Sequence, residues 1–240
     1  MNIFAIGDIH GCLNELTSLH KKILTHDKFD VKNDLIIYLG DYIDRGKNSK
    51  EVINQILKLK NNKIKIINLM GTHDEFMINL LFNNKNNMEN WLNFGLDQTL
   101  RSYGIEVVDF IKDGFGDDII DKLRNTLLSS MSEEHINFFK DLELSFSSEK
   151  YLFVHAGIDP KKTLEDQTRQ DFLWSRSKSF FDKDFKAEKI IVHGHTPEEN
   201  IINNSHRINI DTGCYFSGKL SSVCLSDYDD SRLFINNLSK

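Results

Sequence analysis

Three times in its first third the chain runs through an apolar segment and stops at a glycine. Ile3-Phe4-Ala5-Ile6 ends at Gly7-Asp8, Leu35-Ile36-Ile37-Tyr38-Leu39 at Gly40-Asp41, and the run from Ile64 to Leu69 at Gly71-Thr72. Between these runs, Leu13 to Leu24 carries apolar residues at helical spacing (Leu13, Leu16, Leu19, Ile23). Ser49 to Leu59 does the same with Val52, Ile53, Ile56 and Leu57. A third helix is predicted from about His73 to Phe82. Strand, helix and strand in repeated alternation require parallel pairing through crossover helices. The fold class is therefore α/β.

Later segments break the alternation. Residues from about 85 to 148 read as a helical insertion over one end of the sheet, with periodic stretches from Met88 to Leu100 and Asp118 to Leu128. Ser132, with Glu133 and Glu134 behind it, is an N-cap signal for a helix running to about Leu142. Strands are predicted at Tyr151 to Val154, Lys189 to Val192, Ile208 to Ile210, Leu220 to Leu225 and Arg232 to Ile235. With little helix between them, they suggest a second, more antiparallel sheet. The economical architecture is one domain over 1–240, two stacked mixed sheets flanked by helices.

Composition narrows the function classes. The 240 residues are 40% hydrophobic and 28% charged, with a net charge of -6, as in ordinary globular proteins. That charge argues against nonspecific nucleic-acid binding, which needs an excess of Lys and Arg. No run approaches the roughly 18 apolar residues of a membrane span, and no basic segment precedes the first apolar one, so no membrane partner and a cytoplasmic location are expected. The three cysteines, Cys12, Cys214 and Cys224, include no C-x-x-C pair. A disulfide framework and a structural zinc cluster are not expected, and Cys12 reads as a helix-packing residue.

Chemistry-bearing residues gather at the ends of apolar runs. Gly7-Asp8-Ile9-His10-Gly11, Gly40-Asp41-Tyr42-Ile43-Asp44-Arg45-Gly46, Gly71-Thr72-His73-Asp74-Glu75, His155-Ala156-Gly157 and His193-Gly194-His195-Thr196-Pro197 place His, Asp or Arg just past the last strand residues. Ligands of open α/β sheets collect beyond the carboxyl ends of strands. Neighbouring strands would thus bring Asp8, His10, Asp41, Asp44 and His73 into one crevice, with His155 and His195 completing it. Carboxylate and imidazole donors together suit Mn, Fe or Zn. His193 reads as a supporting residue. His20, His26, His135 and His206 read as solvated, and Asp211-Thr212-Gly213 as loop structure only.

Taken in order, the five segments resemble the phosphoprotein phosphatase (PPP) group of calcineurin-like metallophosphoesterases, in its bacterial and phage form. Phe172-Leu173-Trp174-Ser175-Arg176 and the stretch from Trp91 through Thr99 to Ser102-Tyr103-Gly104 resemble it too. The resemblance implies two divalent metal ions, with Mn the leading choice and Fe, Zn or Mg as alternatives. Asp8, His10 and Asp41 would hold one, and Asp41, His155 and His195 the other. It implies in-line attack by a metal-bridging hydroxide, with His73 as general acid oriented by Asp44, and Arg45 and Arg176 on the phosphate oxygens. The expected partner is a phosphorylated protein or peptide, and the expected activity that of a phosphoserine or phosphothreonine phosphatase, with phosphotyrosine as a further possibility. A dinucleoside polyphosphate (diadenosine tetraphosphate) hydrolase is the alternative.

One position departs from the pattern. The family's Asn ligand falls on Thr72, whose hydroxyl lies about 1.5 Å, one bond, closer to the backbone than an amide oxygen. A weakened second metal and reduced activity are expected. An impaired phosphatase that binds phosphorylated partners is the third reading.

Overall fold

The computed structural model describes residues 1–83, 88–111, 117–182 and 184–238. Strands β1 (Asn2–Ile6), β2 (Leu35–Tyr38) and β3 (Lys65–Asn68) pair in parallel, Ile3 opposite Leu35 and Leu35 opposite Lys65. Helices α1 (Leu13–Leu24) and α2 (Ser49–Asn61) connect them, and α3 (Thr72–Ile78) follows β3, continuing as a π-helical turn over Asn79–Asn83. These are the elements the apolar periodicity predicts, within a residue or two.

Alternation along the strands builds two cores. Phe4, Ile6, Ile36 and Tyr38 point one way and pack against Leu16, Leu19 and Ile23 of α1 and Val52, Ile53 and Ile56 of α2. Ile3, Ala5 and Ile37 point the other way, onto a second sheet that supplies Tyr151, Phe153, Val192 and Ile208. Successive side chains of a strand face opposite sides, so one strand serves both cores. The layers are helices, sheet and sheet, with short helices outside.

The helical block packs against the outer helices of the first sheet and also reaches the carboxyl ends of its strands, where Trp91 and Thr99 bond Asp44. It comprises α4 (Met88–Asn93), α5 (Leu96–Ser102), α6 (Val108–Ile111), α7 (Asp117–Ser130) and α8 (Glu133–Lys140). Helices α5 and α8 rest on α2, and α8 also on α3. Ser132 caps α8 as predicted, its hydroxyl accepting from the His135 amide. The predicted start of the block near 85 lies outside the described residues.

Two expectations about the second half need correction. The second sheet contains β4 (Ser145–Ser147), β5 (Tyr151–Val154), β6 (Ile190–His193), β7 (Ile202–Asn203) and β8 (Arg207–Asn209), in the order β4-β5-β6-β8-β7. Its centre, β5, β6 and β8, is parallel, and only the edge strands β4 and β7 are antiparallel. The last two strands, β9 (Ser221–Ser226) and β10 (Leu233–Asn236), return to the first sheet, where β9 pairs antiparallel with β1. All six residues of β9 are buried, so its pattern carried no sign of which sheet it joins. The helical block ends before β4, a strand of three residues that periodicity cannot detect. No helix among the described residues is long and apolar enough to cross a membrane.

Candidate active site

Most of the predicted residues sit just past a strand, while His73 lies in the first turn of α3 and Arg176 follows a short helix, Arg169–Trp174. His10, Asp41, Asp44, Arg45 and His195 all have positive φ, between 48° and 71°. Among the described non-glycine residues only Lys63 shares that conformation. Such backbone costs of order 1–3 kcal/mol per residue and collects at functional sites. Here it turns three loops back so that their side chains face one cavity of about 260 Å³.

Asp8, His10, Asp41, Arg45, Thr72, His73, Arg176 and His195 line that cavity. His155 and Asp44 stand behind its wall, both fully buried. The structure thus brings together every residue that the sequence singled out.

The two halves of the cluster share Asp41. Its Oδ2 lies 3.5 Å from His10 Nε2 and 3.5 Å from His155 Nε2. His155 Nε2 is 3.1 Å from His195 Nδ1. The opposite ring nitrogens are tied to backbone carbonyls, His10 Nδ1 to Ile43 at 2.9 Å and His155 Nδ1 to Leu39 at 2.8 Å. A ring whose Nδ1–H donates to a carbonyl keeps its Nε2 lone pair for the cavity.

Electrostatics match that arrangement. Burial, then the like charge of His73, pushes His10 down to about 3. Burial, then His155, pushes His195 to about 2. Neutral imidazoles are the ligand form. Burial, then the carboxylates of Asp211 and Asp41, holds Asp8 well above the usual range. Asp8 Oδ1 is buried with no hydrogen-bond partner, while Oδ2 accepts from the His195 amide at 3.0 Å. Buried carboxylates that repel one another, an unpartnered carboxylate oxygen and neutral imidazoles with inward lone pairs form a donor set that fits divalent cations.

His73 behaves oppositely. Burial disfavours its charge, but the Asp41 and Asp44 carboxylates outweigh burial and its pKa is raised. Asp44 Oδ2 takes His73 Nδ1 at 2.6 Å and the Trp91 indole N–H at 2.5 Å, while Oδ1 accepts the Thr99 hydroxyl at 2.5 Å. This leaves His73 Nε2 facing the cavity, 3.4 Å from Arg45 Nη2. On the other side, Arg176 Nε reaches His195 Nε2 at 3.2 Å. Thr72 Oγ1 lies 3.5 Å from both Asp41 oxygens, so it remains inside the cluster despite its short side chain.

Sequence reasoning missed several contributors. Asp74 is fully buried and accepts the amides of Gly71, Asp41 and Tyr42 at 2.8, 2.7 and 3.2 Å, fastening the Asp41 turn to α3. Burial, then Asp41, pushes it up to about 8. Asp211, read as loop structure, lines the cavity and is pushed up to about 7, chiefly by burial. Its place directly after the predicted strand Ile208 to Ile210 was the available signal. Phe76, Phe94, Trp174 and Tyr215 form an aromatic rim, with the Arg45 guanidinium 4.2 Å above the Tyr215 ring.

Three histidines read as solvated are instead buried. His20 bonds the Tyr38 hydroxyl, His135 bonds the Tyr103 hydroxyl and Asn54, and His206 bonds the Phe180 carbonyl. A neutral imidazole satisfies such interior groups at little cost, and burial pushes His20 and His135 down to about 4. His193 is the supporting residue expected, held by Gly194 and Arg207.

A sequence profile of the calcineurin-like phosphoesterases matches residues 1–229. The chain belongs to the calcineurin-like phosphoesterase family. It is a phosphoesterase of the metal-dependent kind, and its PPP-type motifs agree with the relatives found. The asymmetrical bis(5'-nucleosyl)-tetraphosphatase PrpE of Oceanobacillus iheyensis is 28% identical, with 92% of this chain and 88% of that protein covered. Serine/threonine-protein phosphatase 2 of Salmonella typhimurium is 26% identical, covering 92% and 91%. A crystal structure of a candidate diadenosine tetraphosphatase superposes with a TM-score of 0.63 at 16% identity, covering 98% of this chain and 93% of that one, and shares the fold.

Proposed function

We propose that this phosphoesterase hydrolyses dinucleoside polyphosphates. This reverses the order of the two readings drawn from the motifs, which put a phosphoprotein first. The observation that carries the reversal is the aromatic rim: Phe76, Phe94, Trp174 and Tyr215 border the cavity that holds the Asp/His cluster and the two arginines. Flat aromatic faces beside a phosphate site suit nucleobases, where stacking contributes about 1–3 kcal/mol per base. The PrpE relative supports the same class.

In this reading Asp8, His10 and Asp41 would hold one divalent ion, Mn(II) by preference, and Asp41, His155 and His195 the second, with Thr72 beside Asp41. The ions would supply charge neutralisation of the phosphate and an activated water. Arg45 and Arg176 bind the phosphate oxygens, where a guanidinium makes paired hydrogen bonds. His73 Nε2 gives its proton to the departing oxygen, and Asp44 anchors Nδ1 and sustains the charge.

A second reading, a phosphoserine or phosphothreonine phosphatase, is favoured by the Asp44–His73 pair. A serine alkoxide is a far poorer leaving group than a nucleotide phosphate and needs that proton more. The deciding experiment compares kcat/KM for diadenosine tetraphosphate and a phosphoserine peptide, with Mn(II), in the parent and in Phe94→Ala and Trp174→Ala. The proposal expects the dinucleotide to be preferred, and the two variants to lose it by about tenfold or more while keeping para-nitrophenyl phosphate turnover. Preference for the peptide, with the aromatic variants unchanged on the dinucleotide, would overturn it.

A further inference from the structure

Cys12 and Cys214 stand at opposite ends of the sequence and meet beside the first motif. One donor atom from each, and one from Glu15, all lie within 4.8 Å of one another. Cys12 is the N-cap of α1 yet makes no capping hydrogen bond, at a position where Ser, Thr, Asp or Asn would typically stabilise by about 1 kcal/mol. Its Sγ instead faces the His10 carbonyl at 3.5 Å, and Glu15 projects one turn further along the same helix face. Cys214 opens a short helix (Cys214–Ser217), is buried, and has its thiol within 4.8 Å of that of Cys12.

We propose that Cys12, Glu15 and Cys214 form a site for a thiophilic divalent ion of the zinc class, separate from the Asp/His cluster. Two thiolates and a carboxylate are three protein ligands of a tetrahedral ion, with water in the fourth position. Sulfurs about 2.3 Å from one zinc stand roughly 3.8 Å apart, so the donors move little to close on it. Each thiol releases its proton on binding. The missing C-x-x-C spacing hid this grouping, because its two sulfurs come from distant segments.

The ion would tie the start of α1 to the segment that carries Tyr215. That ring packs edge-on against His10 at 5.4 Å and beneath Arg45 at 4.2 Å. The site therefore fixes one wall of the cavity. Cys224 takes no part: it lies in β9 opposite Phe4.

The two sites differ in a way that spectroscopy reads directly, since only this one contains sulfur. The experiment titrates Co(II) into the full chain, kept reduced by a phosphine, and follows the thiolate-to-cobalt charge-transfer band. The expected result is a band that saturates at one thiolate-bound ion and is bleached by Zn(II). It disappears in Cys12→Ser and Cys214→Ser, persists in Cys224→Ser, and needs about tenfold more Co(II) in Glu15→Gln. No band in protein with three titratable free thiols would overturn the proposal, as would a band that survives Cys12→Ser. Cys12 and Glu15 are half-buried, so those two variants decide the matter if Cys214→Ser fails to fold.

Discussion

Gly194→Ala is a small change with a specific expected consequence. A Cβ at Gly194 would lie 2.0 Å from Asp8 Oδ1 and 3.5 Å from the Asp211 Cβ. Gly194 does not have positive φ, so alanine adds no backbone strain there. The whole effect falls on the Asp8 carboxylate, which must retreat by roughly 1 Å or more to restore ordinary contact. Metal–ligand distances tolerate about 0.2 Å, so Asp8 is lost as a ligand. Loss of a supporting residue around a metal already costs about 10–100-fold in affinity, and a displaced ligand costs at least that. Calorimetric titration of Mn(II) into metal-free parent and variant should show one of two binding events weakened by that factor. The melting temperature of the metal-free variant should stay close to the parent's, because the carboxylate can swing into the cavity. Two unchanged binding events would refute the placement of Asp8 Oδ1 in a metal site.

Further predictions follow from the same geometry. Thr72→Asn should tighten the weaker Mn(II) site by about tenfold and raise turnover, and a loss of activity on that substitution would contradict the assignment. Asp74→Ala leaves the buried amides of Gly71, Asp41 and Tyr42 without an acceptor, so urea unfolding should show a loss of about 3 kcal/mol or more, at about 1–3 kcal/mol per orphaned group; a loss under about 1 kcal/mol would refute the role. The raised pKa of His73 keeps its imidazolium above the ordinary 6.5, so turnover of a phosphate monoester with an alkyl leaving group should hold past that value. It should then fall as pH rises through the His73 pKa. Asp44→Asn, which removes one of the carboxylates sustaining the charge, should move that fall to lower pH, and a pH profile unchanged in Asp44→Asn would count against His73 as the acid.

How much was legible depended on where each residue stands relative to a strand. Asp8, Asp41 and His155 follow fully apolar runs at once, so the place where the strands end gave their location without any contact being known. Thr72 and His73 could be placed on the same ground after β3. Asp211 follows a run broken by Arg207 and Asn209, Asp-Thr-Gly is also what an ordinary turn looks like, and its buried position against Asp8 is a tertiary fact. Asp74 sits inside the third motif, yet only the folded backbone reveals that it collects three amides. The rim was illegible because Phe76, Phe94, Trp174 and Tyr215 come from four separate segments, and aromatic residues at those spacings read as core. For the same reason the buried histidines escaped notice: periodicity says which face a residue occupies, while the hydroxyls and carbonyls that make His20, His135 and His206 acceptable inside come from elsewhere in the chain. Sheet assignment failed at β9 because a strand buried on both faces carries no alternation to orient it.

The proposed function rests on two ions that share Asp41 within the Asp/His cluster. Anomalous diffraction from crystals soaked in Mn(II) tests it most directly. Two peaks about 3.5–4 Å apart are expected, one bounded by Asp8, His10 and Asp41 and the other by Asp41, His155 and His195. A single peak, or a pair that leaves Asp41 or Asp8 out of contact, would contradict it.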